Sequence, residues 1–229
     1  MTATPSVFVF DFDSTLVSVE SFDRLLAIAL DGRQDAAAVL AEIEAITAQG
    51  MNGEIDLSES LSRRLQAARI TQAHIERTIE LLLKSVTPGM PGIVSHLTRA
   101  GQQVRIMSGG FTEMIAPVAE VLGLAPEHIY ANTFTKRTGV VTGIDFDNPL
   151  SRSSGKAETI TRLKADHAGS VICIGDGISD AIPYLNGVAD DFWGFFQHHD
   201  RPKVRAKATR SFDSAAALAA HLHRLHPLD

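Results

Sequence analysis

The chain moves between two hydrophobic rhythms. Near the N-terminus, Val7-Phe8-Val9-Phe10 is an unbroken apolar, β-prone run. Such runs belong to strands buried on both faces, as in parallel sheets. The spacing then becomes helical and stays so to Ser85. Helices are predicted over Ser21 to Asp31, Gln34 to Gln49, Asp56 to Arg69 and Thr71 to Ser85. Leu57, Leu61 and Leu65 share one stripe, and Ile75, Ile79 and Leu82 another. Gly32, Gly50-Met51-Asn52-Gly53 and Ile70-Thr71 separate these segments. No strand-like run interrupts the block, so it reads as a small helical bundle inserted behind the first strand.

Beyond Thr87-Pro88-Gly89, strand and helix alternate again. Met90 to Ala100 is a predicted helix, and Gln103 to Met107 a strand ending at Ser108-Gly109-Gly110. Thr112 to Leu122 follows as a helix, with Pro117 as an expected irregularity. His128 to Ala131 and Val140 to Phe146 suggest a strand and then a hairpin. Ser153-Ser154-Gly155-Lys156 opens a helix to about His167, and the buried strand Ser170 to Ile174 runs into Gly175-Asp176-Gly177-Ile178-Ser179-Asp180. The tail holds an apolar segment (Asp191 to Phe196), a polar loop with His198, His199 and Asp200, and an Ala-rich helix from about Ser214. The pattern predicts an α/β fold: a parallel sheet flanked by helices, a helical insert and a small β-hairpin.

Composition narrows the function classes. The 229 residues are 45% hydrophobic and 21% charged, with a formal net charge of −6, so there is no basic footprint for nucleic acid. No apolar run approaches a membrane span. Met1 to Ser6 lacks the features of a secretory signal, and the chain starts almost at its first strand, so no preceding regulatory domain is expected. Cys173, the single cysteine, sits within Val171-Ile172-Cys173-Ile174 and reads as a buried strand residue. A cytoplasmic enzyme fits these properties. His221, His223 and His226 lie on the terminal helix without a cysteine and read as a solvated face.

The candidate chemistry gathers at strand ends. Asp11 and Asp13 follow the first strand, Ser108 the second and Asp176 the last buried one. In open α/β sheets, ligands sit just beyond such carboxyl ends. Two aspartates at one edge repel each other unless a cation or a proton lies between them. Lys156, in the first turn of a helix, opposes the helix dipole, which is more easily explained if it faces a bound anion.

Taken in order, Asp11-Phe12-Asp13-Ser14-Thr15, Ser108, Lys156, and Asp176 with Asp180 resemble the four motifs of the haloacid dehalogenase superfamily of phosphotransferases. The resemblance implies a Rossmann-like core over residues 1–16 and 86–229, with a helical cap of the C1 type over 17–85. It implies Mg²⁺ held by Asp11, Asp176 and the backbone carbonyl of Asp13. Asp11 would be the nucleophile that forms an aspartyl-phosphate, and Asp13 the acid and base. Lys156 and Ser108 would hold phosphoryl oxygens, with Asp180 and Ser179 placed behind the metal and the lysine. Electrostatics agrees: a carboxylate approaching a phosphate dianion at about 4 Å, with an effective dielectric near 20, meets roughly 4 kcal/mol of repulsion per unit pair. An oxygen-ligated cation and a lysine offset that cost.

The cap resembles that of phosphoserine phosphatases. Glu20 stands where that family meets the substrate ammonium, Arg64 where it binds the carboxylate, and Met51 and Leu57 line the apolar side. Ser108-Gly109-Gly110-Phe111 also matches, with the amides of Gly109 and Gly110 available to substrate. Arg suits a carboxylate because its fork can bind two oxygens. Leu57 departs from the usual Phe, Ser179 from the usual Asn or Thr, and Gln197-His198-His199-Asp200 from a glycine-rich turn. The expected reaction is Mg²⁺-dependent hydrolysis of L-phosphoserine, the last step of serine biosynthesis, on a small phosphorylated amino acid. The alternatives are another small phosphomonoester, transfer to an acceptor such as homoserine, or a catalytically dead phospho-ligand binder. Monomer and homodimer both remain open.

Overall fold

The computed structural model describes residues 4–51 and 54–228. Strand β1 (Val7–Phe10) lies inside a six-stranded sheet, paired in parallel with β2 (Gln103–Phe111) on one side and β6 (Val171–Gly175) on the other. With β3 (Ile129–Asn132), β7 (Asp191–Phe195) and β8 (Arg210–Phe212) the order is β3-β2-β1-β6-β7-β8, every pairing parallel. This is the predicted α/β class.

The unbroken apolar run of β1 follows from its position. Phe8 and Phe10 point into one apolar cluster, and Val7 and Val9 into the other, so no residue of the strand can be polar. Helices α5 (Met90–Arg99), α6 (Thr112–Val121) and α10 (Ala215–Leu225) feed the first cluster. Helices α7 (Gly155–Ala165) and α8 (Ile178–Leu185) feed the second. Each fully buried Phe or Leu contributes roughly 2 kcal/mol of transfer free energy. The expected irregularity at Pro117 does not break α6, which stays continuous around it.

The segment between β1 and β2 is helical. It comprises α1 (Ser21–Leu30), α2 (Ala36–Met51), α3 (Leu57–Gln66) and α4 (Gln72–Lys84), followed by α5. Asp56 caps α3, its Oδ1 accepting from the Ser58 N–H at 2.9 Å. The inward stripe (Leu25, Leu26, Ile43, Leu61, Ile75, Leu82) is buried in the cluster that also covers one face of the sheet. The Phe22 and Phe111 rings, 5.0 Å apart, join the two.

Backbone bonds fasten the helical block at two places. At its root, Val17 and Val86 form an antiparallel bridge, with Ser18 N donating to Ser85 O and Thr87 N to Leu16 O. Farther out lies the antiparallel hairpin of β4 (Phe134–Arg137) and β5 (Val140–Ile144). Its edge is extended by Thr71, with Gln72 N donating to Gly139 O at 2.9 Å. Thr138 and Gly139, at φ 51° and 74°, supply the two left-handed residues that the tight turn requires.

Two sequence expectations change here. β2 continues four residues past Met107, because its pairing with β3 resumes at Phe111 and Asn132 after a register shift. Of the C-terminal histidines, His223 is exposed as expected, whereas His221 and His226 are half-buried. α10 lies across the sheet, so the His221 ring sits 5.1 Å from Trp193, His226 5.6 Å from Phe8, and His223 4.1 Å from His96. Cys173 is buried, and burial pushes its thiol far above the usual range. Among the described residues, no helix is long and apolar enough to cross a membrane.

Candidate active site

The carboxyl ends of β1, β2 and β6 and the N-terminus of α7 meet beneath helices α1–α3, around a cavity of about 380 Å³. Asp11 and Asp176 follow the last residues of β1 and β6, and Ser108 lies where the β2–β3 register shifts.

Asp11 follows β1, with its N–H on Ile174 O at 2.8 Å. Its Oδ1 accepts from the Phe12 N–H at 2.7 Å and lies 2.9 Å from Lys156 Nζ. Oδ2 has no hydrogen-bond partner among the described residues. The chain then makes one irregular turn, Phe12–Leu16, in which Ser14 takes φ 54°. A non-glycine residue there is costly and persists only where its surroundings hold it. Ser14 is fully buried and its Oγ donates to Glu20 Oε1 at 2.7 Å. The turn aims Asp13 toward α1, where its carboxylate accepts from Ser21 N (2.7 Å) and Ser21 Oγ (3.1 Å). Burial, then the charges of Glu20 and Asp11, raise the Asp13 carboxyl well above the usual range. Burial likewise raises Glu20.

Gly175 ends β6 and makes room for the next cluster: a Cβ there would stand 2.3 Å from Asp180 Oδ2. Asp176 is buried, and burial together with the Asp11 charge pushes it up to about 6, although Arg201 pulls the other way. Asp180 rises to about 8 for the same two reasons, opposed by Lys156. Asp180 Oδ1 accepts from Lys156 Nζ at 2.5 Å and Oδ2 from the Gly177 N–H at 3.0 Å. Lys156 is placed by Gly155, whose own Cβ would lie 1.9 Å from Pro149 O. Burial alone would lower the lysine, but Asp11 and Asp180 outweigh it and hold the ammonium charged.

Asp11, Asp176 and Asp180 offer carboxylate oxygens that all lie within 4.8 Å of one another. With Asp13 and Glu20 close by, five acids face two cations, Lys156 and Arg201. That surplus of buried negative charge, with all-oxygen donors, fits a hard divalent cation. Asp180 has both oxygens engaged, whereas Asp11 Oδ2 and Asp176 Oδ1 have no hydrogen-bond partner among the described residues.

Ser108, 1% exposed, closes the floor. Its Oγ accepts from the Gly110 N–H at 2.9 Å, so this amide is turned onto the serine, while Gly109 O accepts from Asn132 Nδ2. The opposite wall belongs to the helices: Glu20, Phe22 and Asp23, then Leu57, Leu61 and Arg64. Arg64 is buried and pairs with Asp23 at 2.9 Å. At the mouth, Leu57 N donates to Ser153 Oγ (3.1 Å) and Ser153 N to Asp56 Oδ2 (3.3 Å). Ser179 lines the cavity beside Gly177. Met51 ends α2, and its side chain lies outside the described residues.

Three residues escaped the sequence reading. Arg201 Nε donates to Asp176 Oδ2 at 2.8 Å, and its Nη2 stands 4.0 Å from Glu20. Asp23 and Thr47 hold Arg64. The signal for Arg201 was its place in the loop after β7, at the ligand-binding edge of the sheet. Nothing in the local pattern singles out Asp23 or Thr47.

Comparison with known proteins gives the family. The chain matches the family model for haloacid dehalogenase-like hydrolases over residues 8–182. It is 33% identical over 204 residues to a phosphoserine phosphatase of Drosophila melanogaster, covering 87% of this chain and 71% of that one. The human phosphoserine phosphatase is 32% identical over 203 residues, covering 87% and 85%. Among solved structures, a phosphoserine phosphohydrolase-like protein from Francisella tularensis superposes with a TM-score of 0.86 at 32% identity, covering 95% of this chain and 99% of that one. With its acidic cluster, buried lysine and parallel sheet, this chain belongs to the haloacid dehalogenase-like hydrolases, as a phosphatase resembling the phosphoserine phosphatases.

Proposed function

We propose that this phosphatase hydrolyses L-phosphoserine to L-serine and phosphate through a phosphate ester on Asp11. The observation that carries this reading is one cavity with two unlike walls. A buried lysine with Asp11 and Asp13 lines the sheet side, with Asp176 and Asp180 clustered behind them, and a buried arginine with Glu20 lines the helical side. A phosphomonoester suits the first wall, and an ammonium and a carboxylate suit the second.

Asp11 Oδ2 attacks phosphorus while Oδ1 stays on Lys156 and the Phe12 amide, which fixes the carboxylate plane. The serine oxygen leaves as the Asp13 carboxyl gives it a proton, a role that suits an acid raised by burial. A water then attacks the aspartyl-phosphate and Asp13 takes its proton, releasing phosphate and restoring Asp11. Lys156 and the Ser108 hydroxyl bind phosphoryl oxygens, and Asp180 keeps the lysine in place. Mg²⁺, with Asp11 and Asp176 as side-chain ligands and the Asp13 carbonyl as a third, supplies charge neutralisation at the phosphoryl group when bound. Glu20 meets the ammonium and Arg64 the carboxylate. Helices α1–α4, residues 17–85 with their linkers, act as a cap that shuts the cavity against water.

Phosphate release from a panel of esters with Mg²⁺ tests the reading: L-phosphoserine, phosphothreonine, sugar phosphates and nucleotides. A strong preference for L-phosphoserine is expected. A flat profile, or a preference for another ester, would discard the substrate and leave the phosphatase chemistry.

A further inference from the structure

Arg64 does not stand in the cavity unaided. Its Nη1 donates to Asp23 Oδ1 at 2.9 Å and to Thr47 Oγ1 at 3.3 Å, and its Nε to the Ser60 carbonyl at 3.3 Å. The guanidinium carbon lies 4.9 Å from the centre of the Phe22 ring. A guanidinium has five N–H groups. Those of Nη1 and Nε are taken, and Nη2 has no hydrogen-bond partner among the described residues.

The Arg64 side chain is 9% exposed and that of Asp23 26%. A cation this buried, laid on an aromatic face, needs a fixed countercharge, or burial would favour turning it out to solvent. Asp23 provides that countercharge from α1, on the same face as Glu20. It takes Nη1 and leaves Nη2 clear, so it does not occupy the nitrogen that a ligand would use.

We propose that Asp23 is the positioning residue for carboxylate recognition. It clamps Arg64 against Phe22 so that only Nη2 faces the ligand. The proposal rests on the phosphoserine reading above and sharpens it. The substrate carboxylate meets Arg64 end-on through Nη2, rather than through the two-pronged fork that the sequence suggests, because the other prongs are already filled.

Steady-state kinetics on two esters test it. O-phosphoethanolamine carries the ammonium and phosphate of phosphoserine but no carboxylate. In Asp23→Ala, the KM for L-phosphoserine is expected to rise about tenfold, the size of one lost charge-assisted hydrogen bond. Its kcat should stay within about twofold, and phosphoethanolamine, which still meets Glu20, should shift far less than phosphoserine. Asp23→Asn keeps the shape and an acceptor oxygen, serves as the test should the alanine variant not fold, and should recover part of the loss. Equal losses on both esters would make Asp23 merely structural and overturn the proposal. A lowered KM for phosphoserine would make it a competitor for Arg64, with the same consequence. If the wild-type enzyme treats the two esters alike, the phosphoserine reading itself fails. If it discriminates and neither variant shifts the ratio, only the role of Asp23 fails.

Discussion

The two walls of the cavity handle buried charge in opposite ways. On the helical wall Arg64 is neutralised within the protein, by Asp23 at 2.9 Å, and its exposed end is left for a ligand. On the sheet wall the carboxylates outnumber their partners. Asp13, Asp176 and Asp180 are all raised, burial being the leading cause in each. The Arg64–Asp23 pair is complete without a ligand, and the sheet wall holds charge that only a cation or protons can balance. Selectivity can therefore be lost on the helical wall without loss of chemistry, whereas the sheet wall exchanges stability for chemistry.

The strongest way to break this comparison is Asp11→Asn. Turnover should fall by at least about 10⁴-fold, as for other nucleophile deletions. The metal-free protein should melt no lower than wild type, because one repelling carboxylate has gone. A large drop in Tm would show that the sheet wall is not overcharged. Asp13→Asn should cost about 10²- to 10⁴-fold on phosphoserine, the span of general acid–base catalysis, and much less on an aryl phosphate whose leaving group needs no proton. Equal losses on both esters would deny Asp13 its acid role.

Metal removal sharpens the contrast through pH. A carboxyl raised in the folded protein binds its proton more tightly there than in the unfolded chain, where the ordinary value is 3.8. Below that value both states are protonated and folding bears no cost. As pH climbs toward about 6 for Asp176 and about 8 for Asp180, the metal-free fold loses stability. Asp176 alone accounts for about 3 kcal/mol at most. Thermal melts in EDTA should thus fall between pH 5 and pH 8, and Mg²⁺ should raise Tm more at pH 8 than at pH 5. A metal-free Tm that climbs over this range would contradict the charge surplus.

Smaller effects belong to the helical wall. Arg64→Ala should raise the KM for phosphoserine about tenfold or more and leave an aryl phosphate untouched. Ser153→Ala removes the acceptor for Leu57 N at the mouth and should lower kcat/KM only about two- to fivefold. If Ser153→Ala matched the loss at Arg64, closure rather than charge recognition would dominate that wall.

The acids and the serine of the sheet wall were legible because their positions are tied to strand ends. The apolar runs of β1 and β6 can be read locally, and whatever follows them must emerge at the ligand-binding edge. The helices of residues 21–84 were legible for a similar reason, since helical periodicity is a property of neighbours in sequence. Less was visible at the far edge of the sheet. β7 reads only as an apolar segment, and the three residues of β8 are too few for any period. The hairpin's first strand, Phe134–Arg137, carries Lys136 and Arg137 on an exposed edge and lacks an apolar signature.

By itself the sequence determined the class of fold, the order of strand and helix, and the acids, serine and lysine brought to one crevice. Each of these follows from short-range patterns. Tertiary structure alone decided how charge is shared between them. Arg201 reaches Asp176 across 25 residues, Asp23 reaches Arg64 across 41, and Ser153 meets Leu57 across 96. Whether a carboxylate is balanced, raised or free depends on what burial brings within about 4 Å of it, and no local spacing encodes that distance.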